Sequence, residues 1–293
     1  MGDYKGKVAV ITGGGGGIAH GIGLACAKEG MHLVLADINQ DRLDKNKAEL
    51  SKEGTEVLTV ITDATKEADM QALAQKTLDK FGRVDMLFNN AGIHFHKDFR
   101  YLTDNDFNWI FNTNFWSVIY GMRTFIPIME KQGGPCHITN TSSAAGALPG
   151  LPTMSHYSAV KYAVRALTEG VLYELRVRNS NVNMSVLMPA YVTSNLMYSA
   201  ADCRPTELCN EVEMQTDLDK TFEQTFEALL TKPQVLGNNI SISNEEAGQI
   251  VLNAIKQGKN FIFTHFKDTT EKTMEYTNMM IDQQKLIDLS KMV

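Results

Sequence analysis

The chain has little of what nucleic-acid-binding, membrane-spanning or disulfide-framework proteins need. Lysine and arginine total 28 against 34 aspartates and glutamates, a formal net charge of −6, and basic residues nowhere cluster. That balance argues against nucleic acid or an anionic membrane as a general partner. No apolar run approaches the ~18 residues that cross a bilayer. Residues 1–7 run into a short apolar segment that stops at glycines, without the apolar region and cleavage site of a secretory signal. The four cysteines (Cys26, Cys136, Cys203 and Cys209) are scattered, with no C-x-x-C pair, and read as reduced thiols of a cytoplasmic protein. His94 and His96 form an H-x-H without a nearby third ligand, so no metal is expected. Apolar residues at 43% and charged residues at 21% are ordinary values that exclude disorder.

What is present is alternation. Val8-Ala9-Val10-Ile11 is an apolar run of strand length, followed by Thr12 and five glycines, Gly13 to Gly17. Ile18, Ile22, Ala25 and Cys26 then recur at helical spacing. Strand, glycine turn and helix together make a phosphate cradle: glycine lets backbone approach the phosphate, and free N–H groups at the helix start bind its charge. Leu33-Val34-Leu35-Ala36 is the next strand, and Asp37 follows it, 25 residues beyond Thr12. A βαβ unit places there the carboxylate that binds the adenosine ribose. Neither the glycine turn nor Ile38-Asn39 offers a cation for a 2′-phosphate, so NAD is favoured over NADP.

The pattern continues with strands at 57–61 and 86–88, the latter running into Asn89-Asn90-Ala91-Gly92, and helices ending near 53 and 81. A long helix is expected over 104–131, carrying Trp109, Asn114 and Trp116, the tryptophans as core or interface residues. Strands follow at 136–139 and 182–188, with a helix over 157–178 between them. The sequence from 195 to 239 is looser and strandless; a helix at 245–256, a strand at 261–263 and a polar helical tail close the chain. Near-continuous apolar strands separated by helices predict an α/β fold, a doubly wound parallel sheet in a Rossmann-type three-layer sandwich. Ligands bind beyond the carboxyl ends of such strands, where the glycines, Asp37, Asp63 and residues 89–92 fall. We expect one domain over 1–293, with a cofactor and catalytic core at 5–194, a substrate lid at 195–239 and a helical tail at 266–293. Tyr157 and Lys161, four apart, share one helix face, and an ammonium near a phenol favours the phenolate.

These pieces resemble the short-chain dehydrogenase/reductase family over residues 5–265. The resemblance rests on T-G-x-x-x-G at 12–17, N-N-A-G at 89–92, a serine after the fifth strand and Y-x-x-x-K at 157–161. It implies hydride transfer between a nicotinamide and a carbonyl or secondary alcohol, in a branch acting on bulky ring-bearing alcohols. By that similarity Tyr157 is the general acid/base and Lys161 holds the nicotinamide ribose and lowers the tyrosine pKa. Ser143 binds the substrate oxygen, with Ser142 an alternative because the gap of 14 to Tyr157 is one longer than usual. Asn114 anchors a water in the proton path. The cofactor would lie along Gly13, Gly17, Ile18, Asp37, Asp63, Ala64, Asn90, Ala91, Gly92, Pro189 and Val192. Ala19 and Ala190 stand where the family commonly has glycine, and Gly21 and Gly23 offer another G-x-G register. His156 is expected as a pocket wall rather than a second base. Leu196, Met197, Tyr198, Phe222 and Phe226 would give the lid an apolar wall, suited to a steroid or aryl alcohol. A homodimer or homotetramer on the two long central helices is expected. The alternatives are an NADP-dependent reductase of carrier-bound 3-oxoacyl groups and a non-catalytic nucleotide sensor or scaffold.

Overall fold

Successive residues of the first strand, β1 (Val8–Thr12), face opposite sides of the sheet. Ala9 and Ile11 join one buried cluster, Val8 and Val10 another. Two apolar faces require two covers. The computed structural model describes residues 4–193, 196, 203–211, 213–231 and 241–281, and the strands that follow are β2 (His32–Asp37), β3 (Val57–Ile61), β4 (Met86–Asn89), β5 (Cys136–Thr141), β6 (Val182–Met188) and β7 (Phe261–Phe263). Among the described residues they form one seven-stranded sheet, all pairs parallel, in the order β3-β2-β1-β4-β5-β6-β7. The chain winds outward from β1 in one direction and from β4 in the other. That reversal opens a crevice at the carboxyl ends of these two strands.

One face is covered by α1 (Gly17–Lys28), α2 (Gln40–Leu50) and a late helix, here α8 (Asn244–Lys256), through Ile22, Leu43, Leu50 and Val251. The other is covered by α3 (Glu67–Phe81), α5 (Ser117–Gln132) and α6 (Ser155–Val177), through Leu73, Phe125 and Val164. Helices α1 and α8 cross with their backbones touching. A Cβ added to Gly21 would strike the Asn244 carbonyl, and one on Gly248 would strike that of Gly21, so glycine is required at both.

The helix expected over 104–131 is interrupted. It comprises α4 (Asp104–Phe111), a π-helical turn (Asn112–Trp116) and α5. Asn114, fully buried in that turn, accepts the Ile93 N–H at 2.8 Å and donates to the Ile93 carbonyl at 2.9 Å. The extra residue in the turn shifts the helix face: Trp109 is buried, but Trp116 is 42% exposed. Within 195–239, where a lid is expected, the described residues form a 3₁₀ turn (Thr206–Leu208) and α7 (Asp217–Thr231), and α9 (Phe266–Ile281) follows β7. Met197, Tyr198, the Phe226 side chain and residues 282–293 lie outside the described residues. Among those described, no helix is long and apolar enough to cross a membrane.

Candidate active site

A cavity of about 1570 Å³ runs along the carboxyl ends of the strands. Gly13, Gly17, Ile18, Asp37, Asp63, Ala64, Asn90, Ala91, Gly92, Pro189 and Val192 all line it. Thr12 ties its two halves together, its hydroxyl accepting the N–H groups of Asn90 at 3.0 Å and Ala91 at 3.1 Å. Gly13 has φ +65°, and a Cβ there would lie 2.9 Å from the Ala91 Cα. Gly21 faces α8 and Gly23 faces Leu50, so the turn uses the register beginning at Gly13.

The Asp37 carboxylate accepts the Gly15 N–H at 2.9 Å and the Asn39 N–H at 3.0 Å, which fixes it against the glycine turn. The glycine turn and Ile38-Asn39 carry no cation, as read from the sequence, but one lies just beyond them. Arg42, in the first turn of α2, lines the same cavity, and a Cβ on Gly15 would lie 2.6 Å from the Arg42 Cβ. Asp63 accepts the Thr65 N–H and hydroxyl at 3.0 and 2.6 Å and pairs with Lys66 at 3.1 Å. Burial alone would raise its pKa, but these partners together hold the carboxyl below its usual range.

At the other end of the cavity stand Ser143, Tyr157 and Lys161. Ser142 and Ser143 point in different directions, as neighbours at a strand end do. The buried Ser142 hydroxyl donates to the Lys161 carbonyl at 2.7 Å. The Ser143 hydroxyl instead accepts the Ala145 N–H at 3.2 Å and lies 3.4 Å from the Pro189 carbonyl, near enough to the Tyr157 phenol to interact with it. Burial pushes the Tyr157 phenol up to about 12, partly opposed by the Ser143 hydroxyl. Burial also pulls the Lys161 ammonium down to about 7, with Nζ donating to the Thr141 carbonyl at 3.0 Å and lying 5.5 Å from the Tyr157 ring centroid. The expected lowering of the phenol by the lysine is therefore overridden: desolvation penalises both charged forms and drives both groups toward neutrality.

Sequence reasoning missed two features that depend on long-range contacts. First, His94 lies edge-on to the Tyr157 ring, with centroids 4.5 Å apart, and its Nε2 is 3.2 Å from Nε2 of His96. Among the described residues no three His, Cys, Asp or Glu side chains group as metal ligands. His156 donates from Nε2 to the Phe95 carbonyl at 3.1 Å and packs against that ring. Second, a charged network fastens residues Arg204 and Glu213 to α4. Asp106, fully buried, pairs with Lys97 at 2.9 Å and Arg204 at 2.8 Å, and Glu213 pairs with both cations. Leu208 is thereby set among Trp109, Met154 and Tyr157. Leu196 and Phe222 also line the cavity.

A doubly wound sheet with a glycine turn at its switch point and a tyrosine–lysine pair in the same cavity defines a dinucleotide-fold protein of the oxidoreductase type. The chain belongs to the short-chain dehydrogenase family, whose profile matches residues 7–204. It is 32% identical over 289 residues to a "CLA biosynthesis dehydrogenase/reductase" of Lactiplantibacillus plantarum, covering 98% of this chain and 95% of that one. A "C alpha-dehydrogenase" of Sphingobium is 32% identical over 208 residues, 71% of this chain and 67% of that one. A short-chain dehydrogenase/reductase from Burkholderia phymatum, solved in complex with NAD, superposes with a TM-score of 0.91 at 33% identity, over 98% of this chain and 99% of that one.

Proposed function

We propose that this oxidoreductase uses NAD to interconvert a secondary alcohol and a ketone on a bulky, mostly apolar ring substrate such as a steroid or aryl alcohol. What carries the reading is that Ser143, Tyr157 and Lys161 share one cavity with the glycine turn and Asp37. The residues fit the dinucleotide: only glycine is accommodated at Gly13, and the Asp37 carboxylate is held facing the turn. Gly13 in the turn, with Gly17 and Ile18 at the start of α1, would hold the pyrophosphate, and Asp37 the adenosine ribose. Asp63 and Ala64 would lie toward the adenine; residues 90–92, Pro189 and Val192 would lie toward the nicotinamide half, and Lys161 would hold its ribose. When bound, NAD supplies the acceptor or donor of hydride.

Tyr157 takes the proton from the substrate alcohol, or returns it to the ketone oxygen. Ser143 donates a hydrogen bond to that oxygen as charge develops. A protonated Lys161 favours the phenolate, so Tyr157 gains base strength when the lysine holds its proton. The Asn114 side chain is fixed by both backbone groups of Ile93, and a water anchored at Asn114 would extend the proton path from Lys161. Trp109, Leu148, Leu151, Met154, Leu208 and Phe222 give the cavity apolar walls, which supports a bulky substrate. The exposed Trp116, Tyr173 and Val177 on the π turn and α6 support pairing of copies into a homodimer or homotetramer, and the scattered spacing of the four cysteines supports a reduced, cytoplasmic setting.

Tyr157→Phe tests the reading. Assayed by NADH formation over a panel of alcohols, it should lose roughly 10²–10⁴-fold in rate. A near wild-type rate would overturn the assignment, and acceptance of small polar alcohols alone would overturn the substrate class.

A further inference from the structure

We propose that His94 is a positioning residue for Tyr157, held by a hydrogen-bonded chain through His96 to a strained Thr153; this rests on the acid/base reading of Tyr157. The His94 ring is buried, lines the cavity and meets the Tyr157 ring at an interplanar angle of 69°. Its Nε2 is 3.2 Å from Nε2 of His96, whose Nδ1 is 2.8 Å from the Thr153 hydroxyl. Thr153 is buried at φ +61°, a region that β-branched residues rarely enter. Its carbonyl accepts the Lys97 N–H at 3.0 Å, so contacts at both ends of the residue hold the conformation. Such backbone persists where its surroundings over-determine it, and it clusters at functional sites. This wall is also where one residue more than usual separates Ser143 from Tyr157.

The chain works with uncharged rings. Burial first, then His96, His156 and Lys161, holds His94 well below the usual histidine range. Burial brings His96 to about 4 against the opposing pull of Asp219. Each neutral ring carries one N–H, so the chain has a polarity. Either His94 donates to His96 and His96 to Thr153, or Thr153 donates to His96 and His96 to His94. In both, the imidazole plane beside Tyr157 is fixed, and with it the face along which the phenol ring can tilt. A tyrosine free to tilt would leave Ser143, and small misplacements of a reacting group are costly.

Four variants test this. His94→Phe keeps a ring against Tyr157 and removes the nitrogens; Thr153→Val keeps the branching and removes the hydroxyl. Each should lower kcat roughly ten- to hundredfold on one alcohol, with the NADH dissociation constant and melting temperature little changed. The double variant should fall no further than the worse single, because both cut one chain. His94→Gln, which keeps a nitrogen toward His96, should recover most of the rate. Where Thr153→Val does not fold, His96→Phe cuts the chain at its middle and is read the same way. An unchanged kcat in these singles, or an additive double, overturns the proposal while Tyr157→Phe remains inactive. An active Tyr157→Phe would instead refute the acid/base reading itself.

Discussion

Replacing Asp37 by alanine should turn a nucleotide site that rejects a 2′-phosphate into one that tolerates it. The carboxylate cannot swing aside, because its two oxygens take the N–H groups of Gly15 and Asn39 at 2.9 and 3.0 Å. A phosphate monoester carries about −1.5 to −2 charge at pH 7. Unit charges 4 Å apart repel by about 1 kcal/mol in water and about 4 kcal/mol at an effective dielectric of 20. Asp37 is half-buried, and Arg42 on the same wall offsets part of the repulsion. A discrimination of about 2–4 kcal/mol follows, or roughly 30- to 1000-fold in affinity. In Asp37→Ala, NADPH should bind more tightly and NADH about tenfold more weakly, since the ribose hydroxyls lose an acceptor. Dissociation constants measured through nucleotide fluorescence give both numbers. Adding Arg42→Ala should remove the NADPH gain. Equal affinity of the wild type for the two nucleotides, or an unchanged ratio in Asp37→Ala, would refute the electrostatic argument.

The adjacent serines should separate cleanly: Ser143→Ala should lose on the order of 10²-fold in kcat with stability intact, whereas Ser142→Ala should cost about 1 kcal/mol of stability by freeing the Lys161 carbonyl. Asp106→Ala leaves the buried Lys97 with only Glu213, and urea denaturation should register a loss of about 3 kcal/mol. Acidification should destabilise the fold before the carboxylates titrate. Burial lowers His137 to about 3 and His156 to about 4, so the unfolded chain takes up protons below pH ~6.5 that the folded chain refuses. Stability is full above that pH and falls as pH drops toward the folded values, by roughly 2 kcal/mol per histidine at pH 5. Equal unfolding free energies at pH 7 and pH 5 would contradict this.

The central strands were legible because burial on both faces leaves continuous apolar runs, as at 8–11 and 33–36, and the expected bounds at 57–61 and 182–188 also match the structure. The glycine turn, Asp37 and the Tyr157–Lys161 pair were legible because βαβ geometry and helix periodicity fix their spacing. The π turn was not, since a single extra residue hardly disturbs an apolar periodicity. The orientation of Ser142 and Ser143 depends on how the β5 exit meets Lys161 and Pro189, which no local pattern encodes. His94 and His96 acquire meaning only through Thr153, some sixty residues away in a loop whose backbone conformation its sequence disfavours. Arg42 reaches the cavity because α2 begins beside the glycine turn, after an N-cap at Asn39.

The crossing of α1 and α8 ties the helix that follows the glycine turn to a helix far along the chain. The Asn244 side chain lies where a Cβ on Gly17 would be, and the backbone around Gly248 rests on that of Gly21. The helix that follows the glycine turn is thus braced by residues more than 220 positions later in the chain. A nascent chain released only as far as β6 has the glycine turn, Asp37 and Tyr157 but lacks the helix against which α1 is pressed. A chain truncated after β6 should therefore bind NADH more weakly than the full chain, because the start of α1 loses the residues packed against it.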